Sequence, residues 1–160
     1  MVRFIVDVNV GHLARKLRML GYDARFVNPV DDAQLLRLAR EENRVIISGD
    51  RGIFQIREFK SGKASGLFVQ VNKTTDAQVA EIIHAFRLRP RLSLQRCIQC
   101  NTPLVRKGKE EAEGRVPPFV QKTARVYRYC PRCDQFFWEG DHVKRMREMV
   151  ERLQRDSGGS

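Results

Sequence analysis

Phe4-Ile-Val-Asp-Val-Asn-Val-Gly-His-Leu-Ala-Arg-Lys-Leu-Arg-Met-Leu-Gly21 opens the chain and sets its architecture. The first three residues are an apolar run ending in Asp7. Leu13, Ala14, Leu17 and Leu20 follow at helical spacing, so the stretch reads strand, turn, helix, with Gly21 as the C-terminal cap. The same grammar then repeats. Residues 24–27 make a second short strand, and Pro29 with Asp31-Asp32 announces a helix over 32–42 whose buried stripe is Leu35, Leu36 and Ala39. Val45-Ile46-Ile47-Ser48 is a third strand and leads, like the first, into an aspartate, Asp50. Residues 67–71 form a fourth strand, and 76–86, with Val79, Ile82, Ile83 and Phe86 in register, form the covering helix.

Strands alternating with helices through short connections imply right-handed crossovers and a mostly parallel sheet covered on both faces. The expectation is a small doubly wound α/β domain over residues 1–88. Residues 89–96 read as an Arg-rich linker, 97–140 as a zinc ribbon, and 141–160 as a short amphipathic helix with a frayed Ser-Gly-Gly-Ser tail.

The 160 residues carry 30 Lys and Arg against 19 Asp and Glu, a net charge of +11, and 42% are hydrophobic. That composition excludes a disordered basic tail, and no apolar run approaches the ~20 residues that span a bilayer. Asp7 interrupts the N-terminus too early for a signal-peptide core, so the expectation is a soluble, cytoplasmic protein in a reducing compartment, away from membranes. A surplus of this size favours polyanions. It is spread along the chain, with 16 basic and 10 acidic residues in 1–94 and 14 and 9 in 95–160.

In a reducing compartment four cysteines call for a reason other than disulfides. Cys97-Ile-Gln-Cys100 and Cys130-Pro-Arg-Cys133 are two Cys-x-x-Cys knuckles, 29 residues apart (101–129), able to offer four thiolates to one structural Zn²⁺ at ~2.3 Å. The long interval predicts an extended hairpin or loop. Alternatives are two disulfides or a redox dithiol, but a thioredoxin-like motif belongs between a strand and a helix of the α/β part. Arg96, Arg106, Lys107, Lys109, Arg125, Arg128 and Arg132 make the ribbon basic.

Asp7 and Asp50 both lie just past the carboxyl ends of predicted strands, where a doubly wound sheet opens its crevice. Two carboxylates there suit a hard cation, Mg²⁺ or Mn²⁺, which acidifies a bound water and bridges to phosphate. Asp31 or Asp32 offers a third oxygen. Asn9 and Ser48 are placed to hydrogen-bond a metal ligand. Each acid also has a plainer reading: Asp31, Asp32 and Asp7 as helix caps, Asp50 and Asp23 as turn residues, Glu41 and Glu42 as a solvated helix end. Arg15, Lys16 and Arg18 lie opposite the leucine stripe near the mouth and could hold a phosphate backbone, with Arg51 beside Asp50. His12 and His84 read as structural or surface residues.

Together these segments resemble a known family. Phe4-Ile-Val-Asp7, the run from Gly11 to Asp23, Val45 to Arg51, Cys97-x-x-Cys100-Asn101, Val116-Pro117, Cys130-x-x-Cys133 and Trp138-x-Gly140-x-His142 look like the RNase domain at the C-terminus of the Mut-seven exonuclease, a PIN-like nuclease domain followed by a zinc ribbon. The resemblance spans nearly the whole chain. It implies a metal-dependent ribonuclease with Asp7 and Asp50 as metal-binding carboxylates, the Asp31/Asp32 region supplying a further acid, and RNA as substrate, positioned by helix one, the linker (Arg96) and the ribbon (Arg128). A regulatory protein or the ribosome is a further partner to expect. The chain departs from the family where Ser48-Gly49-Asp50 replaces Thr-Arg-Asp, keeping hydroxyl and carboxylate but losing a cation, and at Asn9, where an apolar residue is usual. His142 matches the family motif without a mechanism, its plain reading being a buried hydrogen bond.

Two further readings stand beside a nuclease. A non-catalytic RNA- or ribosome-binding module with a vestigial acidic pocket is favoured by Ser48-Gly49. A phosphoacceptor signalling domain also places Asp residues at strand ends, but the chain has too few strands and no matching late-strand Lys.

Overall fold

The structure, a computed structural model, describes residues 1–28, 31–90, 92 and 94–157, with side chains to 155. Pro29 of the helix signal, Arg91 and Ser93 of the linker, and 158–160 of the tail lie outside the described residues. The chain divides into two compact units, Met1–Arg18 with Tyr22–Arg89, and Pro90–Ser160 with Met19–Gly21.

In the first unit β1 (Phe4–Val6) runs through a 3-10 turn (Val8–Val10) into α1 (His12–Met19), followed by β2 (Ala24–Phe26), α2 (Asp32–Glu41) and β3 (Val45–Ser48). A second 3-10 turn (Arg51–Gln55), α3 (Arg57–Lys60), β4 (Gly66–Phe68) and α4 (Thr75–Ala85) complete it. The four strands are parallel in the order β2-β1-β3-β4, so the α/β expectation holds. Every residue of β1 is buried because a central parallel strand is covered on both faces, which is why it reads as an unbroken apolar run.

One face of the sheet, Ile5 and Ile46, packs on Leu35, Leu36 and Ala39 of α2 and on Ile53. On the other face the Phe4 ring meets Phe86 and Tyr22 edge-on, at 5.5 and 6.0 Å between centroids. Right-handed crossovers require this division, since the chain steps from β1 to β2 in one direction and from β2 back past β1 to β3 in the other. Each fully buried Leu or Ile contributes about 1.5–3 kcal/mol of transfer free energy. Gly21, at φ 90°, turns the chain out of α1.

The N-terminal ends of the strands are tied by Arg44, whose side chain is 9% exposed. Its guanidinium is bidentate to Asp23 (2.7 and 3.3 Å), donates to Glu42 Oε2 (2.6 Å) and reaches the Phe4 carbonyl (3.1 Å). Glu42, expected on a solvated helix end, also pairs with Arg25, and Asp23 does more than serve a turn.

The second unit contains β5 (Val105–Lys107), α5 (Lys109–Ala112), α6 (Pro118–Thr123), β6 (Tyr127–Cys130), β7 (Gln135–Trp138) and α7 (Asp141–Ser157), its strands forming an antiparallel sheet in the order β5-β6-β7. The extended hairpin or loop expected over 101–129 is realised as an antiparallel β5–β6 pair, with two short helices, not foreseen, standing between the strands. They are there because Ala112, Val116 and Val120 give the interval a small core against Tyr127 and Phe136. The sheet's opposite face joins Phe137 and Cys130 to Leu94, Cys97, Leu104 and Val143 of α7. Among the described residues, no helix is long and apolar enough to cross a membrane.

Candidate functional site

The strand order reverses between β1 and β3, and the aspartates follow the carboxyl ends of these two neighbours. In doubly wound sheets this is where the crevice opens. Asp7 is nearly buried and caps the first 3-10 turn, its Oδ1 accepting from Val8 N at 2.8 Å. Its Oδ2 accepts a 2.7 Å hydrogen bond from the Ser48 hydroxyl, and the Asp50 amide donates to that same hydroxyl oxygen at 3.0 Å. One fully buried serine therefore fixes the Asp7 carboxylate and the Asp50 backbone together. Asn9 adds a second tie, accepting from Gly49 N at 3.0 Å, with its amide nitrogen 3.4 Å from Asp7 Oδ2.

Asp50 is exposed and caps the second 3-10 turn through Gly52 N (2.8 Å). Asp31 caps α2 through Gln34 N (2.8 Å), which realises the plainer reading for one of its oxygens. Asp32, one residue on, has its carboxyl raised above the usual range, first by burial and then by the charges of Asp50, Asp7 and Asp31. Asp32 thus lies within electrostatic reach of Asp50, Asp7 and Asp31, although the four do not converge as the cysteines do. Carboxylate oxygens are the hard donors a divalent cation takes.

Gly49 stands where the family pattern has arginine. A Cβ there would come within 2.4 Å of Val71 Cγ1 and 3.3 Å of Val10 Cγ1, so the glycine lets Val71 close over this turn. The neighbouring cation survives at Arg51, whose guanidinium lies 4.4 Å from the centroid of the Phe68 ring. Phe68 was not singled out from sequence. It is the parallel partner of Ser48, so only the β3–β4 register brings it to the site.

The basic residues expected to hold RNA separate into different environments. Arg15 is exposed and Lys16 half-buried on α1. Arg18 is corrected: it is buried and donates from Nε to the Ala24 carbonyl (2.8 Å). Position 18 follows Ala14 by four residues and shares its inward row, so this arginine ties α1 to β2 and is not available to a phosphate. In the second unit Arg96 donates to the Asn101 carbonyl (2.8 Å), closing the first knuckle. Arg128 is half-buried directly across from Arg106 in the β5–β6 pairing, and its Nε is buried without a hydrogen bond. His12 is bonded to Gln78 (2.8 Å), in keeping with a structural role. His142, for which a buried hydrogen bond was the plain expectation, is exposed and lies 3.2 Å from Arg145.

Among the described residues the four cysteines are the group whose metal-ligating atoms all lie within 4.8 Å of one another. Cys100 and Cys130 sulfurs are 3.5 Å apart and Cys97 and Cys133 sulfurs 3.9 Å. A disulfide needs about 2.05 Å. Tetrahedral zinc with Zn–S near 2.3 Å sets sulfurs about 3.8 Å apart. All four sulfurs cluster, across the knuckles as well as within them, as a single shared ion requires and two separate dithiols do not. Cys133 is pushed up to about 12, chiefly by the Cys100 sulfur beside it. Cys100 is brought down to about 6: burial opposes ionisation there, but the Thr102 hydroxyl and amide outweigh it. Four thiols gathered this closely suit a thiophilic dication, and the set is compatible with structural zinc.

A family model described as Mut7-C RNAse domain matches residues 2–150 of the chain. No curated protein and no solved structure matches it significantly.

Proposed function

The chain belongs to the Mut7-C RNAse domain family, and from that premise we propose that it is a metal-dependent ribonuclease, hydrolysing RNA phosphodiester bonds at the carboxylate cluster beyond β1 and β3. The observation that carries this reading is the Ser48 hydroxyl holding Asp7 and Asp50 in one frame at the switch point of the sheet.

Asp7 and Asp50 would hold a Mg²⁺ or Mn²⁺, with Asp31 or Asp32 as the further acid: Asp31 has one oxygen on the α2 cap, as Asp7 and Asp50 have on theirs, and Asp32 feels the charges of Asp50 and Asp7. Bound there, the cation supplies Lewis acidity and an acidified water for attack on phosphorus. The protein's own contribution is orientation. Ser48 and Val8 N fix the two Asp7 oxygens, and Asn9 locks the turn after β1 to the turn after β3. Arg15, Lys16 and the Phe68-stacked Arg51 are the cations of this unit suited to the phosphate backbone. The four-sulfur centre has no open position in this scheme and serves structure.

The test is cleavage of single-stranded RNA by Asp7→Asn and Asp50→Asn proteins over a range of Mn²⁺ concentrations. Asn retains an oxygen able to accept the capping amides, so folding is kept. Activity should drop by more than the roughly 10- to 100-fold that losing an orienting partner costs. Undiminished cleavage by both variants refutes the assignment, and RNA bound but uncut by the unaltered protein at every cation concentration replaces it with the binding-module reading.

A further inference from the structure

The motif Trp138-x-Gly140-x-His142 is used by neither the carboxylates nor the cysteines. It lies at the end of β7 and the start of α7, and with α6 it walls a groove of about 910 Å³ within the second unit. That volume falls in the ~300–1,000 Å³ range of ligand sites. Two aromatic residues line it. Phe119 on α6 is 75% exposed, an apolar ring held in water. Trp138 is half-buried, packed against the Tyr127–Phe136 cluster, with Gly140 beside its indole nitrogen.

The polar residues of the groove give it a sign. Arg125, Lys144 and Arg145 are exposed on its walls. Its two acids are occupied locally: Glu139 faces Arg147 at 3.3 Å, and Asp141 stands in the first turn of α7, where the helix dipole favours a carboxylate. Arg145 lies 3.2 Å from His142 Nδ1, which as acceptor leaves the ring proton on Nε2 and a further donor beside the cations. Exposed ring faces beside clustered cations are what an unstacked base and its phosphates require. A duplex keeps its base faces stacked, and a purely acidic peptide such as polyglutamate has no flat ring to set on these.

We propose that this groove binds single-stranded RNA, with a base stacked on Trp138 and Phe119 and the flanking phosphates on Arg125, Lys144 and Arg145. The proposal rests on the reading of this chain as an RNA-acting protein and gives the second unit a binding site of its own.

Trp138 is the chain's single tryptophan, so its emission reports on the groove directly. The zinc-loaded full chain is titrated, with no Mg²⁺ or Mn²⁺ added, with an eight-nucleotide oligouridylate, a duplex of equal length and a polyglutamate peptide. The oligouridylate should quench saturably and bind at least tenfold more tightly than the other two. Phe119→Ala, and separately Lys144→Gln with Arg145→Gln, should weaken it roughly tenfold with unchanged thermal unfolding. Absence of quenching, equal quenching by polyglutamate, or an unaltered Kd in Phe119→Ala overturns the proposal. Asp50→Asn should bind the oligouridylate as the unaltered protein does; an unaltered protein that quenches saturably yet cleaves no RNA with Mn²⁺ added strikes the nuclease reading alone, and one that cleaves without quenching strikes the groove alone.

Discussion

Ser48 is the residue on which the acidic end turns, since one buried hydroxyl donates to Asp7 and accepts from the Asp50 amide. Ser48→Ala removes both bonds and should weaken divalent-cation affinity or cleavage by roughly 10- to 100-fold, the usual cost of an orienting partner. Ser48→Thr, which keeps the hydroxyl, should restore most of it in the same assay. Asp32 makes a prediction about pH. Its carboxyl is raised by burial and then by its acidic neighbours. The folded protein therefore binds that proton more tightly than the unfolded chain, and stability falls as pH rises from the unfolded value through the raised one. With divalent cations withheld, Asp32→Asn should melt higher than the parent at neutral pH and at the same temperature below the unfolded-state value near 3.9. A lower melting temperature for the variant at pH 7 would count against the clustering of these charges.

At the scale of elements, β1 and β3 were legible because buried parallel strands are apolar on both faces, and their closing aspartates were legible because a carboxylate ends each run. What escaped were short pieces and pairings. The 3-10 turns and α5 are too short for a periodic signal, so the 101–129 interval read as an extended hairpin or loop without its helices. Arg18 was misplaced because its charge was weighed above its helical row, and Phe68 was missed because a register is not written in either strand alone. Gly66 in β4 is another consequence of pairing. A Cβ there would lie 2.9 Å from the Ile46 carbonyl and 2.7–2.8 Å from Phe54 and Phe59, and a backbone oxygen cannot swing aside. Gly66→Ala should cost about 1–3 kcal/mol by urea unfolding, as overpacked cores do.

At the scale of the whole molecule, the two units are secured by different chemistry. The second has a small core around four clustered sulfurs, so one zinc per chain should be found, and a strong chelator should expose four reactive thiols while lowering the melting temperature. Fewer than four thiols released, or stability indifferent to chelation, would argue against a structural centre. The first unit is fastened at one end by Arg44, which joins Asp23, Glu42 and the Phe4 carbonyl where the strands begin, while the acids that repel one another gather where the strands finish. Local opening is therefore polarised. In native-state hydrogen exchange, the amides of Phe4 and Val45, bonded to Asp23 O and Arg3 O, should exchange only through global unfolding. Those of Gly49 and Gly52, held by side-chain oxygens alone, should exchange through small fluctuations that Mn²⁺ suppresses. On the proposed reading the β-sheet should unzip from its acidic end, and a cation bound there for catalysis would also be the clasp that shuts it.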